Sequence, residues 1–185
     1  NSALEPTAGF QLAFEIEPFL VVEGGGGNWL RIGASGSTYF DLSGNGRHVI
    51  ALRAALAALV GAEIGDVPVS ERLFSGGGGS VRGYAFQSVG PLDANANPTG
   101  GAGLVEVSAE YRFRVLDSWG GAIFVDAGQV VEDAVPRFNE PLIGVGAGVR
   151  YYTGFGPIRL DVAVPVNPRG SDAGFQVYVS IGQAF

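Results

Sequence analysis

Apolar and polar residues alternate along most of this chain with a period of two. Phe10, Leu12, Phe14 and Ile16 alternate with Gln11, Ala13, Glu15 and Glu17, which in an extended chain makes one greasy face and one polar face. The same phasing sets Leu30, Ile32, Ala34, Thr38 and Phe40 against Arg31, Gly33, Ser35, Ser37 and Tyr39. Further on, Val105, Val107, Ala109, Tyr111 and Phe113 oppose Glu106, Ser108, Glu110, Arg112 and Arg114, and Ile123, Val125 and Ala127 oppose Phe124, Asp126 and Gly128. Ile143–Tyr151 alternates with Gly144, Gly146, Gly148, Arg150 and Tyr152, Ile158–Val166 with Arg159, Asp161 and Ala163, and Phe175, Val177, Val179 and Ile181 with Gln176, Tyr178, Ser180 and Gly182. The run His48–Val60 reads two ways. Ala51–Ala58 has good helix propensity, yet Ile50, Leu52, Ala54, Leu56 and Ala58 fall on one side and Arg53 on the other, and its neighbours are strands, so we read it as strand. Turn formers separate these runs at Gly24–Gly27 and at Asp41–Gly46.

The pattern predicts an all-β chain of about eight antiparallel strands with one long Gly-rich loop, about residues 61–101, between strands three and four. Even strand numbers are usual for bacterial membrane barrels. Most runs are about ten residues, the length of a tilted membrane crossing, where soluble strands more often have about five or six. A soluble β-sandwich shares the alternation, but its strands are shorter, so length favours a transmembrane β-barrel. The long loop contains Gly76–Gly79, Pro91 and Pro98; loops of this size are usually functional or disordered, and Gly76–Ser80 also reads as a flexible linker of engineered type.

Composition sharpens this picture. Mean hydropathy is +0.25 with 16% charged residues, while no run approaches the ~18 apolar residues of a membrane helix. The charges gather on the polar face: Glu15, Glu17, Arg31, Arg53, Glu106, Glu110, Arg112, Arg114, Asp126, Arg150, Arg159 and Asp161. A charge facing lipid midplane costs about 2–4 kcal/mol, so such segregation is expected of a barrel whose inner charges pair with one another. Gly144, Gly146 and Gly148 would make room for long inner side chains or let the strand bend. A net charge of -7 with no basic patch excludes nucleic-acid binding. The lack of Cys fits an oxidising compartment. The lack of an initiator Met and of a signal peptide suggests a processed or excised chain.

Four stretches carry a family resemblance. Ser80-Val81-Arg82-Gly83-Tyr84 in the long loop matches a VRGF/Y motif, and Phe124-Val125-Asp126-Ala127-Gly128 matches an FxDxG strand motif. Gly146–Tyr151 followed by Gly156–Asp161 resembles a pair of penultimate strands, and the run Phe175, Val177, Val179, Ile181, ending at Phe185, resembles an outer-membrane targeting strand. Asn1–Gly9 also resembles a PTxG lead into a mid-barrel strand. Together they resemble the C-terminal half of an Omp85-superfamily barrel, of the kind found in BamA and, more closely, TamA. Throughout residues 1–185 the resemblance implies one β-barrel domain without POTRA domains. It implies an outer-membrane location, membrane lipid as surroundings, and unfolded outer-membrane proteins as substrates to be inserted or translocated. It implies that Arg82 folds back on the barrel wall to meet Asp126, with Glu110 nearby; the alternative is a solvated loop arginine. Arg112, Arg150, Arg159 and Asp161 are the other expected lumen charges.

Family members have about sixteen strands; here the first half is missing, and a closed lumen of eight strands looks too narrow for the loop. The chain then either closes on itself as a minimal barrel or forms half of something, with a second copy of the chain as one candidate partner. Gln183 departs from the aromatic or aliphatic residue usual at that place. A small structural or weakly porating barrel is the rival function, and a fragment of a larger protein the third reading. Chemistry of other kinds finds little material. Asp93-x-Asn95-x-Asn97 begins like a calcium loop, but Pro98 replaces its Gly and Leu104 its last ligand. The Gly clusters lack GK[ST], and Gly33-Ala34-Ser35-Gly36 misses the GxSxG elbow by one residue. With one histidine, His48, and no Cys, no nucleophile–base pair or zinc site is expected, hence no enzyme, metal or cofactor.

Overall fold

The computed structural model describes residues 5–22, 27–154 and 156–185. The turn expected at Gly24–Gly27, Gly27 apart, and the Asn1–Leu4 part of the leading motif lie outside them. The chain forms eight strands: β1 (Gly9–Phe19), β2 (Trp29–Asp41), β3 (His48–Val60), β4 (Gly103–Arg114), β5 (Trp119–Val131), β6 (Leu142–Thr153), β7 (Gly156–Pro165) and β8 (Gln176–Ile181). Each pairs antiparallel with the next in one sheet ordered β1 to β8. The Ala-rich run forms β3, because Leu52 and Leu56 lie exposed on one face while Ala51 and Leu59 are buried on the other, a period a helix cannot supply.

The sheet is not closed. Among the described residues β1 pairs only with β2, and β8 only with β7. Closure on itself, expected from the even strand count, is therefore not seen, and the narrow-lumen objection to an internal loop disappears: the open sheet leaves a concave face wide enough to receive residues 61–102.

The outer face is a band of exposed apolar side chains, among them Leu52, Leu56, Val125, Val145, Leu160, Val162 and Val179. Its charged counterparts point inward, where Glu110, Asp126, Arg150 and Asp161 are fully buried. One end of the sheet carries the short turns 42–47 and 115–118, the other the long connections 61–102, 132–141 and 166–175. At the first, Asp41 accepts backbone bonds from Ser43, Gly44 and Gly46, an Asx-type turn. An outward aromatic cluster sits near the same end: Trp119 lies 4.8 Å from Tyr151 and Tyr111 lies 5.8 Å from Phe113 between ring centroids. His48, at the start of β3, brings Nδ1 to 2.7 Å from the Tyr111 hydroxyl. Such aromatics mark a membrane interface. Placing Arg at Val125, at the centre of β5, should cost about 2–4 kcal/mol in a bilayer; folding titrations in lipid vesicles check it, and a near-neutral result would contradict a lipid-facing sheet.

Candidate functional site

The site is the contact between the long loop and the concave wall of β4–β8. The loop is ordered by isolated bridges Leu73–Gly101, Ser75–Val89 and Leu92–Pro98. Its glycines are structural, contrary to a linker reading: Gly76 has φ +109, and a Cβ there would stand 2.7 Å from the Ala85 carbonyl oxygen. At the loop base Val67 and Leu73 pack with Trp29, Leu59, Leu104 and Val130 into an apolar plug.

Arg82 is buried at the centre of the contact. Its Nε and Nη2 donate to the two Asp126 carboxylate oxygens at 2.7 and 3.0 Å, and its backbone N–H donates to Asp126 Oδ2 at 3.1 Å. Nη1 donates to Glu110 Oε2 at 2.6 Å and lies 3.4 Å from Asp161 Oδ2. The guanidinium also rests on the Phe124 ring, with Cζ 3.3 Å from the centroid. A planar fork matches a carboxylate bidentately and stacks on an aromatic face, which an ammonium does not do. The FxDxG residues on β5 thus each meet the loop. Phe124 lies beneath Arg82, Asp126 receives it, and Gly128 leaves room for Val81, whose Cγ2 would be 2.7 Å from a Cβ there.

Around this pair runs a buried network. Arg112 Nε donates to Glu110 Oε1 at 2.7 Å, Arg150 bonds Asp161, and Arg159 lies 3.7 Å from Asp161. Arg150 and Arg159 face one another directly across β6 and β7, an arrangement that like charges disfavour and that Asp161 between them offsets. Gly144, Gly146 and Gly148 line the track on which the network lies: added Cβ atoms would overlap the Arg82 carbonyl oxygen, the Phe124 ring and the Asp161 carboxylate, respectively.

Several anchors join the loop to the wall beyond the Arg82 pair, and two of them, Asn167 and Arg169, lie in a connection where nothing in the sequence marks them. Ser80 bonds Glu106, which also accepts from Arg53 Nη1 at 2.9 Å. The Tyr84 hydroxyl donates to Asn167 Oδ1 at 3.0 Å, and Arg169 holds the Ser88 and Gly90 carbonyls. Tyr178, read as one more inward residue of the last strand, bonds both Gly83 and Tyr84. The Asp93 carboxylate, suggestive of a calcium loop, accepts from the backbone of Asn95 and Asn97 at 2.8 Å and closes a turn.

The C-terminus differs from expectation. The last strand was expected to run through Phe185, but it stops at Ile181, and Phe175 precedes its first residue. Gly182 has φ +87, a left-handed conformation natural to glycine, and the chain turns inward there. Gln183 accepts from Arg150 Nε at 3.3 Å, and Phe185 packs against Tyr39, Val49 and Ala51 with its carbonyl 2.9 Å from Arg112 Nη2. Phe185 is therefore a lumen residue, while Val177, Val179 and Ile181 do face outward.

Outside the strands, Asp172 pairs with Arg169, its Oδ1 3.0 Å from Nη2. Partial burial pushes the Asp172 carboxyl up, but hydrogen bonds and charge from Arg169 outweigh it and hold the group below the ordinary aspartate range. A depressed folded value means that the pairing stabilises above the ordinary value of 3.8 and that this is lost as pH falls through the lower folded value. Acidification below pH ~3.8 should then loosen the Ser88–Gly90 segment, with Asp172→Asn loosening it already at neutral pH; amide exchange at 88–90 reads both.

The chain matches the Omp85 superfamily domain over residues 1–185. It belongs to the Omp85 superfamily. Over 170 residues it is 29% identical to the outer membrane protein assembly factor BamA of Nitratidesulfovibrio vulgaris, covering 88% of this chain and 21% of that protein. In fold it resembles the crystal structure of BamA from Haemophilus ducreyi lacking POTRA domains 1–3, with a TM-score of 0.75 and 22% identity, covering 96% of this chain and 39% of the other. The chain thus spans about a fifth of the length of that curated relative. Omp85 proteins are proteins of the bacterial outer membrane, and the apolar outer band and aromatic cluster suit this Omp85 chain to that setting. By the usual barrel asymmetry its short turns face the periplasm and its long loop starts from the outer side.

Proposed function

We propose that this Omp85 chain takes part in assembling other outer-membrane proteins, the role that the name of its BamA relative gives that protein, and does so by promoting their insertion. The observation that carries the reading is a loop pinned inside the sheet by Arg82, beside a last strand β8 that pairs only with β7 among the described residues. An unpaired edge presents N–H and C=O groups that an incoming chain pairs with by β-augmentation. We propose further that strands outside β1–β8 complete the barrel, and that their contact with β8 is the one that opens to an incoming chain.

A passive pore fits less well. The loop fills the β4–β8 side, and the plug around Trp29 and Leu73 closes the long-loop end of the neighbouring side. On that side lie a cavity of about 360 Å³ lined by Glu15, Ser35, Arg53, Ser80 and Glu106, among others, and a smaller one of about 170 Å³ beside Ser37, Tyr39 and Phe185. The test is reconstitution in lipid vesicles with an unfolded outer-membrane barrel protein as substrate. Accelerated folding of the substrate, and cross-linking of its terminal strand to a cysteine placed at Val179, are expected. Steady ion conductance without acceleration would overturn the proposal in favour of a pore.

A further inference from the structure

Strand β8 is the shortest of the eight, six residues that pair with β7 alone among the described residues. An exposed edge strand of this length is among the parts of a sheet most easily lost by local opening. Its outward residues Val177, Val179 and Ile181 lie exposed on the lipid face, opposite Val162, Leu160 and Ile158 of β7, and reach no part of the loop. Its inner face is different. The Gly83 N–H donates to the Tyr178 hydroxyl at 3.1 Å, and that hydroxyl donates to the Tyr84 carbonyl at 2.8 Å. The Tyr178 ring covers Gly78 so closely that a Cβ there would lie 3.0 Å from Cδ1. Arg159 adds a bracket, bonding Ser180 on β8 and donating to the Gly78 carbonyl at 2.9 Å.

One loop turn is therefore held from two sides. Arg82 grips β5 through Asp126, and the next two residues grip β8 through one phenol. If β8 swings away while the loop stays docked, the Gly83 N–H and one acceptor site on the Tyr84 carbonyl lose their partner in a buried place, which is unfavourable. If the loop leaves first, β8 loses its inner support. We infer that Tyr178 is a positioning residue that couples the open edge of the sheet to the long loop, so that release of β8 and undocking of the loop are one event. On the reading that β8 offers its edge to an incoming strand, the loop then senses whether that edge is engaged.

The experiment is hydrogen exchange by mass spectrometry on the full chain, in the polypeptide that naturally carries it, in phospholipid nanodiscs. Tyr178→Phe keeps the ring over Gly78 and removes both hydrogen bonds. It should raise exchange roughly tenfold in residues 176–181 and in residues 76–90 together, leaving β2–β4 unchanged. Arg82→Ala, whose lost side chain bonds β4, β5 and β7 but not β8, should raise exchange in β8 as well as in the loop. The double variant should exceed the larger single effect little, the mark of one shared event. Phe124→Leu, which removes the face beneath Arg82, replaces Arg82→Ala if that variant does not fold. Loosening of the loop with β8 unchanged, or of β8 with the loop unchanged, overturns the coupling. Because no insertion is measured, a barrel that couples loop and strand yet inserts nothing would refute the proposed function and leave this inference standing.

Discussion

Replacing Arg82 with Ala should destabilise the folded barrel by about 3–5 kcal/mol, the usual effect of removing one partner of a buried ion pair. The carboxylate left behind decides the size. Glu110 keeps Arg112, and Asp161 keeps Arg150. Asp126 has no second cation within salt-bridge distance among the described residues, and it would retain only the backbone N–H of residue 82 if the loop stayed in place. The stacking on Phe124 goes as well. Arg82→Lys should recover only part, since one ammonium cannot span both Asp126 oxygens and reach Glu110. Asp126→Asn together with Arg82→Ala should be milder than Arg82→Ala alone, because no bare charge remains buried. Urea unfolding in detergent micelles, followed by the heat-modifiable gel shift, measures all three. A change under about 0.5 kcal/mol for Arg82→Ala, the range of ordinary surface substitutions, would mean that the loop is held by something else.

How far the sequence makes this legible depends on the kind of contact. Strand phases are readable because lipid enforces them: a single charge on the outer face is costly, so Arg53 alone is enough to orient the Ala-rich β3. The pair of Arg82 and Asp126 is 44 residues apart and no periodicity links them; they are named beforehand through a resemblance. Openness of the sheet is not readable, because an even strand count suits a closed barrel and a half barrel alike. The inward turn of Gln183–Phe185 hides for a related reason. A terminal Phe continues the apolar alternation that only Gln183 interrupts, and Gly182, where the chain turns, sits on the polar phase like any other small inward residue. Tyr178 hides because an inward tyrosine looks the same in sequence whether it fills space or bridges two backbone groups. Asn167 and Arg169 sit in a polar connection where their types are commonplace.

The second large effect should come from a single methyl group. Gly144 on β6 lies against the loop so closely that the Cβ of Gly144→Ala would overlap the Arg82 carbonyl oxygen. Neither side yields easily. Gly144 is held in the ladder between Asp126 on β5 and Pro165 on β7. On the loop side Gly83, at φ +101, already has Gly144 Cα 3.3 Å and the Val164 carbonyl oxygen 2.9 Å from where its own Cβ would be. A Cβ has no rotamer and a backbone carbonyl cannot swing aside like a side chain, so the loop must lift. Lifting it strips Asp126 of Arg82 and costs the same buried pair as the arginine variant, while every charged side chain is still present. Gly144→Ala should therefore approach the 3–5 kcal/mol of Arg82→Ala although overpacking by one methyl usually costs about 1–3 kcal/mol. The comparison is informative at another glycine: at Gly33 the nearest atom to an added Cβ is 3.5 Å away, ordinary contact, and Gly33→Ala should be nearly neutral. Side-by-side unfolding of Gly144→Ala and Gly33→Ala checks this, and equal stability of the two would show that the loop does not rest on β6 in the membrane.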